Sequence, residues 1–226
     1  MEVNSSRIVE ALSEVLLFRG DSQTFRHRIA AVEAAVIGKN AVEAITSARS
    51  EGLTDGVLAG SLLVKAASAQ IDVVLHAAGI IAALPYVLEP GERIEYVSLG
   101  AGNTGKPHDL ETDLQIAEFK FIKWQGGSEA VRQDSLLIDL FHLATTRTSK
   151  KKVMYLTGLE TPLDFLEGST RDVRKALAHR LGVPGQFVNF YGDESPTVKE
   201  YWASIRDLVE VRDLVGLVPE FDHMVE

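Results

Sequence analysis

A mixed α/β fold, one mixed sheet with helices before and after it, is predicted by two changes of hydrophobic period. Up to residue 88 the apolar residues recur at helical spacing; after Pro90 and Gly91 they alternate, and after Gly126 and Gly127 helical spacing returns. Between residues 71 and 157 the elements therefore read helix, strand, strand, strand, helix, strand. A third observation concerns the middle of that run. Charged residues interleave with Ala117, Phe119 and Phe121, which marks a strand with one apolar and one polar face.

The first 70 residues are predicted to be wholly helical. Ile8, Ala11, Leu12, Val15 and Leu16 form a helical stripe behind Ser5 or Ser6 as N-cap, and Phe25, Ile29, Val32, Val36, Ala41 and Ile45 continue it with a break at Gly38. A turn at residues 52–55 precedes a third helix over 54–69. His27 stands between Arg26 and Arg28 and reads as a solvated helix surface. Residues 73–88, VVLHAAGIIAALPYVL, are the most apolar stretch; sixteen residues containing a histidine fall short of the roughly 20 a membrane span needs, so a buried core helix is expected. His76 within it is ordinarily a satisfied core histidine, with a minor claim to a place beside a site.

A strand is predicted over 93–99, followed by Gly100-Ala-Gly-Asn-Thr-Gly-Lys106. This loop matches both GxGxxG and GxxxxGK. Either phosphate-binding reading needs a helix to start immediately after it, and the P-loop also needs Ser or Thr after the lysine, where this chain has Pro107. Asp139, at the end of LLID, would serve as the acidic partner of such a site if 136–139 were a strand, but it sits in a longer helical pattern of Val131, Leu136, Leu137, Leu140 and Ala144.

Residues 108–124, HDLETDLQIAEFKFIKW, carry the chemistry. With a strand over 115–123, Glu118 and Lys120 share the face opposite Ala117, Phe119 and Phe121. A tight hairpin turning at Asp113 and Leu114 sets Asp109 opposite Glu118, so two carboxylates and a lysine converge. His108 is expected on the opposite strand face, at the rim.

The Asp-x8-Glu-x-Lys spacing on neighbouring strands resembles the PD-(D/E)xK nuclease superfamily, the restriction-endonuclease-like fold, over residues 71–157. The resemblance implies an αβββαβ core, preceded by a helical extension over 1–70 and followed by C-terminal helices and a strand over 158–226, all in one domain. It implies that Asp109 and Glu118 hold Mg²⁺ or Mn²⁺ and that Lys120 handles the attacking water. It implies nucleic acid, DNA first, as substrate, and a homodimer would let two strands meet two sites. Lys106, Lys123, Arg132 and Gln133 are candidates to contact that substrate. Glu111 and Asp113 are weaker candidates for the site, Asp113 as reserve ligand if the register shifts. The sequence departs from the family pattern in that His108 precedes Asp109 and Pro107 stands one place earlier. The residue types suit the chemistry in their own right: hard cations take carboxylate, water and phosphate oxygens, and a metal so held lowers the pKa of its water and polarises the phosphoryl group.

Composition limits the alternatives. The 226 residues contain no cysteine, which excludes disulfides, thiolate zinc sites and a catalytic thiol. A net charge of −9 weighs against a sequence-independent grip on nucleic acid over a broad basic face, so cations would have to gather locally at Lys120, Lys123, Arg132, Arg147 and Lys150 to Lys152. The lysine run reads first as a solvated loop before a strand over 151–157. Glu2, Glu10 and Glu14 interrupt the first twenty residues, which lack the order of a signal peptide, and a cytoplasmic protein without a membrane partner is the expectation. In the tail, helices are predicted over 163–166 and 171–181, a strand over 186–191, and a last helix from Ser195-Pro196 carrying Tyr201, Ile205, Leu208 and Val211. The six histidines are scattered without ligand spacing. Three readings stay open: a metal-dependent nuclease, a P-loop-like nucleotide-binding protein, and a non-catalytic module on a nuclease-like fold.

Overall fold

The computed structural model describes residues 5–68, 71–100, 108–122, 124, 129–178, 183–192 and 195–224. Contacts divide the chain into two compact units, Met1–Ile71 and Asp72–Glu226. The boundary falls beside the expected end of the helical extension, and the extension packs as a unit of its own.

The first unit consists of α1 (Ser5–Arg19), α2 (Ser22–Val36), α3 (Ala41–Ser50) and α4 (Asp55–Ala67). The stripe from 22 to 48 is broken where Gly38 adopts φ +77°, and Asn40 restarts the helix with a capping box closed by Glu43. Phe18, Val32 and Val57 are its buried large side chains. Among the described residues no single helix is long and apolar enough to cross a membrane.

The second unit is a mixed sheet between two layers. Its elements are α5 (Ile71–Val87), β1 (Ile94–Val97), β2 (Leu110–Thr112), β3 (Gln115–Lys120), α6 (Glu129–Thr145), β4 (Lys151–Leu156), α7 (Glu160–Gly168), α8 (Val173–Leu177), α9 (Val183–Tyr191), α10 (Val198–Ile205), β5 (Glu210–Asp213) and a 3₁₀ helix, Pro219–Met224. Spatial order follows sequence order from β1 to β5. β1, β2 and β3 pair antiparallel, while β3–β4 and β4–β5 pair parallel, β4 returning through α6.

Leu110, Ala117, Phe119, Phe121, Val153 and Tyr155 pack against Ile80, Ala83 and Val87 of α5 and the C-terminal Leu214, Val218 and Phe221. Ile116, Met154 and Leu156 pack on the other face against α6, α8, α9 and α10. The central strand is thus covered on both sides. Its apolar face behaves as the alternation requires, but the polar face, Glu118 and Lys120, lies under α6 rather than in solvent. Strand β3 also stops at Lys120, three residues short of the predicted end.

Two expectations for the tail are corrected. Residues 183–191 are helical although rich in aromatic and β-branched residues: Phe187 is fully buried, 5.7 Å from the rings of both Phe141 and Tyr201, and Pro184 in the first turn favours a helix start. The last helix ends at Ile205, and residues 210–213 become an edge strand on β4, where ladder hydrogen bonds outweigh a continued helical stripe through Val211.

Candidate active site

The hairpin forms in the predicted register: Leu110 pairs with Ala117 and Glu111 with Ile116, so the next step sets Asp109 opposite Glu118. Asp109 stands just ahead of β2, its backbone N–H bonded to the Ala117 carbonyl at 3.1 Å. Its carboxylate accepts the Phe119 backbone N–H at 3.0 Å through Oδ2 and lies 3.2 Å from His76 Nε2 through Oδ1. His76 reaches it because α5 runs close to the strand end. A Cβ on Gly79 would come within 2.7 Å of the Phe121 ring, so only glycine permits that approach.

On the covered side, Lys120 forms an ion pair with Asp139 and donates to Ser135 Oγ at 2.8 Å, both on α6. His76, Asp109, Glu118, Lys120, Ser135 and Asp139 line one open cavity of about 320 Å³, with Asp72 at its edge and Leu75, Phe119, Phe121 and Ile122 as its apolar wall. Three carboxylates, Asp109, Glu118 and Asp139, therefore surround one ammonium.

That imbalance sets the protonation states. Burial first, then the charges of Asp139 and Asp109, push the Glu118 carboxyl well above the usual carboxylate range, which favours the protonated form that can hydrogen-bond Asp109. Burial also works to raise Asp109, but His76, the Phe119 N–H and the Glu118 hydrogen bond outweigh it and hold this carboxyl below its ordinary value. For Lys120 burial favours the neutral amine, and the charge and hydrogen bond of Asp139 reverse the sign and keep it an ammonium.

His108 corrects an expectation. Because it precedes β2, strand alternation does not govern it, and its Nδ1 stands 3.6 Å from Glu118 Oε1 on the site's side. The Thr146 hydroxyl gives its one proton to the His142 carbonyl at 2.8 Å and so accepts from His108 Nε2 at 3.0 Å, leaving Nδ1 bare toward Glu118. Burial, helped by His142, lowers the pKa of His108 and keeps the ring neutral.

The remaining candidates divide. Arg132 and Gln133 lie half-buried near the start of α6 and do not line the cavity, though Arg132 Nη1 is a buried donor with no partner among the described residues. Glu111 faces the sheet surface and pairs with Lys150 at 2.9 Å. Asp113 accepts the Arg93 N–H at 2.9 Å in the turn, which the unshifted register leaves remote from the site. The run Lys150 to Lys152 is engaged by Glu95, Glu111, Glu89 and the Ala144 carbonyl rather than held ready for phosphate. Lys106 and Lys123 lie outside the described residues. Residues 101–107 of the glycine loop lie outside the described residues; beyond it the chain enters strand β2 at Leu110 where either phosphate-binding reading needs a helix, and Asp139 sits on a helix instead of a strand end. Ser135 is a site residue that pattern reading passed over, and Asp139 one that it weighed only as the acidic strand end of a P-loop. Their signal is a pair of polar residues one turn apart on a helix whose neighbours Leu136, Leu137, Leu140 and Phe141 are fully buried.

Among the described residues no group of three or more His, Asp or Glu side chains is disposed to hold a metal ion. The hairpin supplies two carboxylates, the number Mg²⁺ takes from protein when water and phosphate oxygens complete its shell. Asp109, Glu118 and Asp139 at one cavity with Lys120 as the cation they share leave this donor set rich in negative charge, and in that respect the residues fit a divalent cation. Comparison with protein-family models, curated proteins and solved structures finds no significant match.

Proposed function

We propose that this chain is a metal-dependent nuclease of the PD-(D/E)xK type, acting on the phosphodiester bonds of nucleic acid, with DNA the first substrate to test. The observation that carries the reading is the hairpin register that sets Asp109 opposite Glu118, with Lys120 on the same strand face and all three at one open cavity. The order α5, β1, β2, β3, α6, β4 supports it, being the αβββαβ order of the resembled superfamily.

Asp109 and Glu118 would hold Mg²⁺ or Mn²⁺, which when bound supplies an acidified water and charge neutralisation at the phosphoryl group. His76 and the Phe119 N–H orient the Asp109 carboxylate toward its task. Lys120 offers a fixed ammonium to orient the attacking water and to meet negative charge on the phosphoryl oxygens. Glu118 must release its proton to act as ligand, so cation affinity rises with pH.

The test is calorimetry with Mg²⁺ and Mn²⁺ together with cleavage assays on single- and double-stranded DNA and RNA. Asp109→Ala is expected to abolish cation binding and to lower cleavage by about two orders of magnitude or more, the scale of losing several kcal/mol of transition-state stabilisation. A wild-type protein that binds no divalent cation, with Asp109→Ala changing neither cleavage nor nucleic-acid affinity, would instead favour a non-catalytic module in which Lys120 is merely paired to Asp139.

A further inference from the structure

The ammonium of Lys120 ends on α6, not on the sheet that carries its backbone. Ser135 Oγ accepts from Nζ at 2.8 Å and Asp139 pairs with it, one helical turn further on. A lysine side chain left to itself has several rotors and no preferred direction. Two acceptors at i and i+4 on one helix face remove that freedom. The helix is itself packed in place, with Leu136, Leu137, Leu140, Phe141 and Leu143 fully buried against the sheet and the helices beyond it. Lys120, Ser135 and Asp139 all line the open cavity rather than lying in the closed core. An ion pair serving stability alone has no need of a cavity, since a buried pair is worth little against well-packed apolar residues.

We propose that Ser135 and Asp139 are positioning residues that fix the Lys120 ammonium beside Glu118, so that packing of α6 decides where the cationic group of the site stands. The inference rests on the nuclease reading for its catalytic consequence, but the anchoring itself is independent of it. Asp139 acts through Lys120 and holds no substrate. A purely structural Asp139 would affect fold and activity alike whether or not Lys120 were present, whereas a positioning Asp139 matters only while Lys120 is there to be positioned.

The experiment compares wild type, Asp139→Asn, Ser135→Ala, Ser135→Thr, Lys120→Ala and the double variant Lys120→Ala/Asp139→Asn. Cleavage of supercoiled plasmid DNA with Mn²⁺ is measured alongside the rate at which acetic anhydride acetylates Lys120, read by mass spectrometry of the Lys120 peptide, with thermal melts to verify folding. The isosteric Asp139→Asn is expected to lower kcat about tenfold at unchanged KM, the scale of a misplaced catalytic group, and to speed Lys120 acetylation several-fold. It is expected to cost nothing further in the Lys120→Ala background. Ser135→Ala follows the same pattern more weakly, and Ser135→Thr, which keeps the hydroxyl, restores it. Independent losses that add in the double variant, or an acetylation rate that Asp139→Asn leaves unchanged, overturn the proposal. Should wild type cleave no plasmid, or Lys120→Ala leave no measurable rate, the acetylation comparison decides the anchoring by itself, while absence of wild-type cleavage counts against the nuclease reading alone.

Discussion

The β2–β3 hairpin carries two buried polar clusters, one at each end, and they differ in how their demands are met. At the turn end, Thr112 Oγ1 accepts the Gln115 N–H at 2.8 Å and bonds Glu92, while Gln115 Nε2 donates to Glu92 at 2.9 Å and to the Val87 carbonyl at 3.1 Å. Gln115 Oε1 accepts the Tyr155 hydroxyl at 3.0 Å, and burial pushes that phenol up to about 12, so it remains a donor. Donors and acceptors match, and the charges at its border are paired, Arg212 meeting both Glu210 and the Tyr155 phenol. At the open end three carboxylates share one ammonium, and burial together with that surplus pushes the Glu118 carboxyl well up. The first cluster holds the hairpin to α5. The second is electrostatically incomplete beside an open cavity, and on that difference the proposed site rests.

Three substitutions test that contrast, in decreasing order of effect. Gln115→Ala removes the acceptor of the Tyr155 hydroxyl proton and the side-chain donor to the Val87 carbonyl, and an expected loss of about 2–4 kcal/mol in urea unfolding follows from the cost of unsatisfied buried groups. Cleavage per folded molecule should persist; a loss of cleavage in the folded fraction would erase the distinction between the clusters. Glu118→Gln should act in the opposite direction, stabilising the fold by about 1 kcal/mol at pH above the wild-type Glu118 pKa, because it removes a charge its neighbours oppose. The pH dependence sharpens this. A carboxyl raised on folding binds its proton more tightly in the native state, so wild-type stability falls as pH rises from the ordinary carboxylate range through the raised Glu118 value. Asp109, whose carboxyl is lowered, contributes the opposite slope below that range, its stabilisation being lost as pH falls. Melts of Glu118→Gln across pH should keep the acid-side slope and lose the other; an unchanged profile would mean that Glu118 does not carry the surplus proton. The smallest effect belongs to Glu111→Gln, on a half-buried pair whose Lys150 keeps Glu95 as a second partner. No measurable change in melting or cleavage is expected, and a large loss of activity would extend the site along β2.

The hairpin was legible because it rests on local rules. Alternation places Glu118 and Lys120 on one face whatever surrounds the strand, and the turn at Asp113 and Leu114 sets Asp109 opposite Glu118. The helices of the first 70 residues and the core helix were legible for the same reason, their stripes and caps lying within a few turns of one another. Less legible were segments whose local pattern is outvoted from afar. Residues 183–191 have a strand-like composition, and Phe187 buries as part of a helix between Phe141 and Tyr201; residues 210–213 continue a helical stripe and are taken by the edge of β4.

For the candidate site the division runs along the same line. Sequence by itself determined which residues share a strand face, since a period of two leaves no choice once the turn is set, and it determined that carboxylates outnumber cations there. Which helix covers that face was decided only by tertiary structure. The return from β3 to the parallel β4 through α6 brings Ser135 and Asp139 over Lys120, and the close passage of α5 at Gly79 brings His76 to Asp109. Those partners are separated from the hairpin by loops and layers whose geometry no local spacing encodes. They are also what turns two acids and a lysine on a strand into groups with fixed positions and displaced protonation.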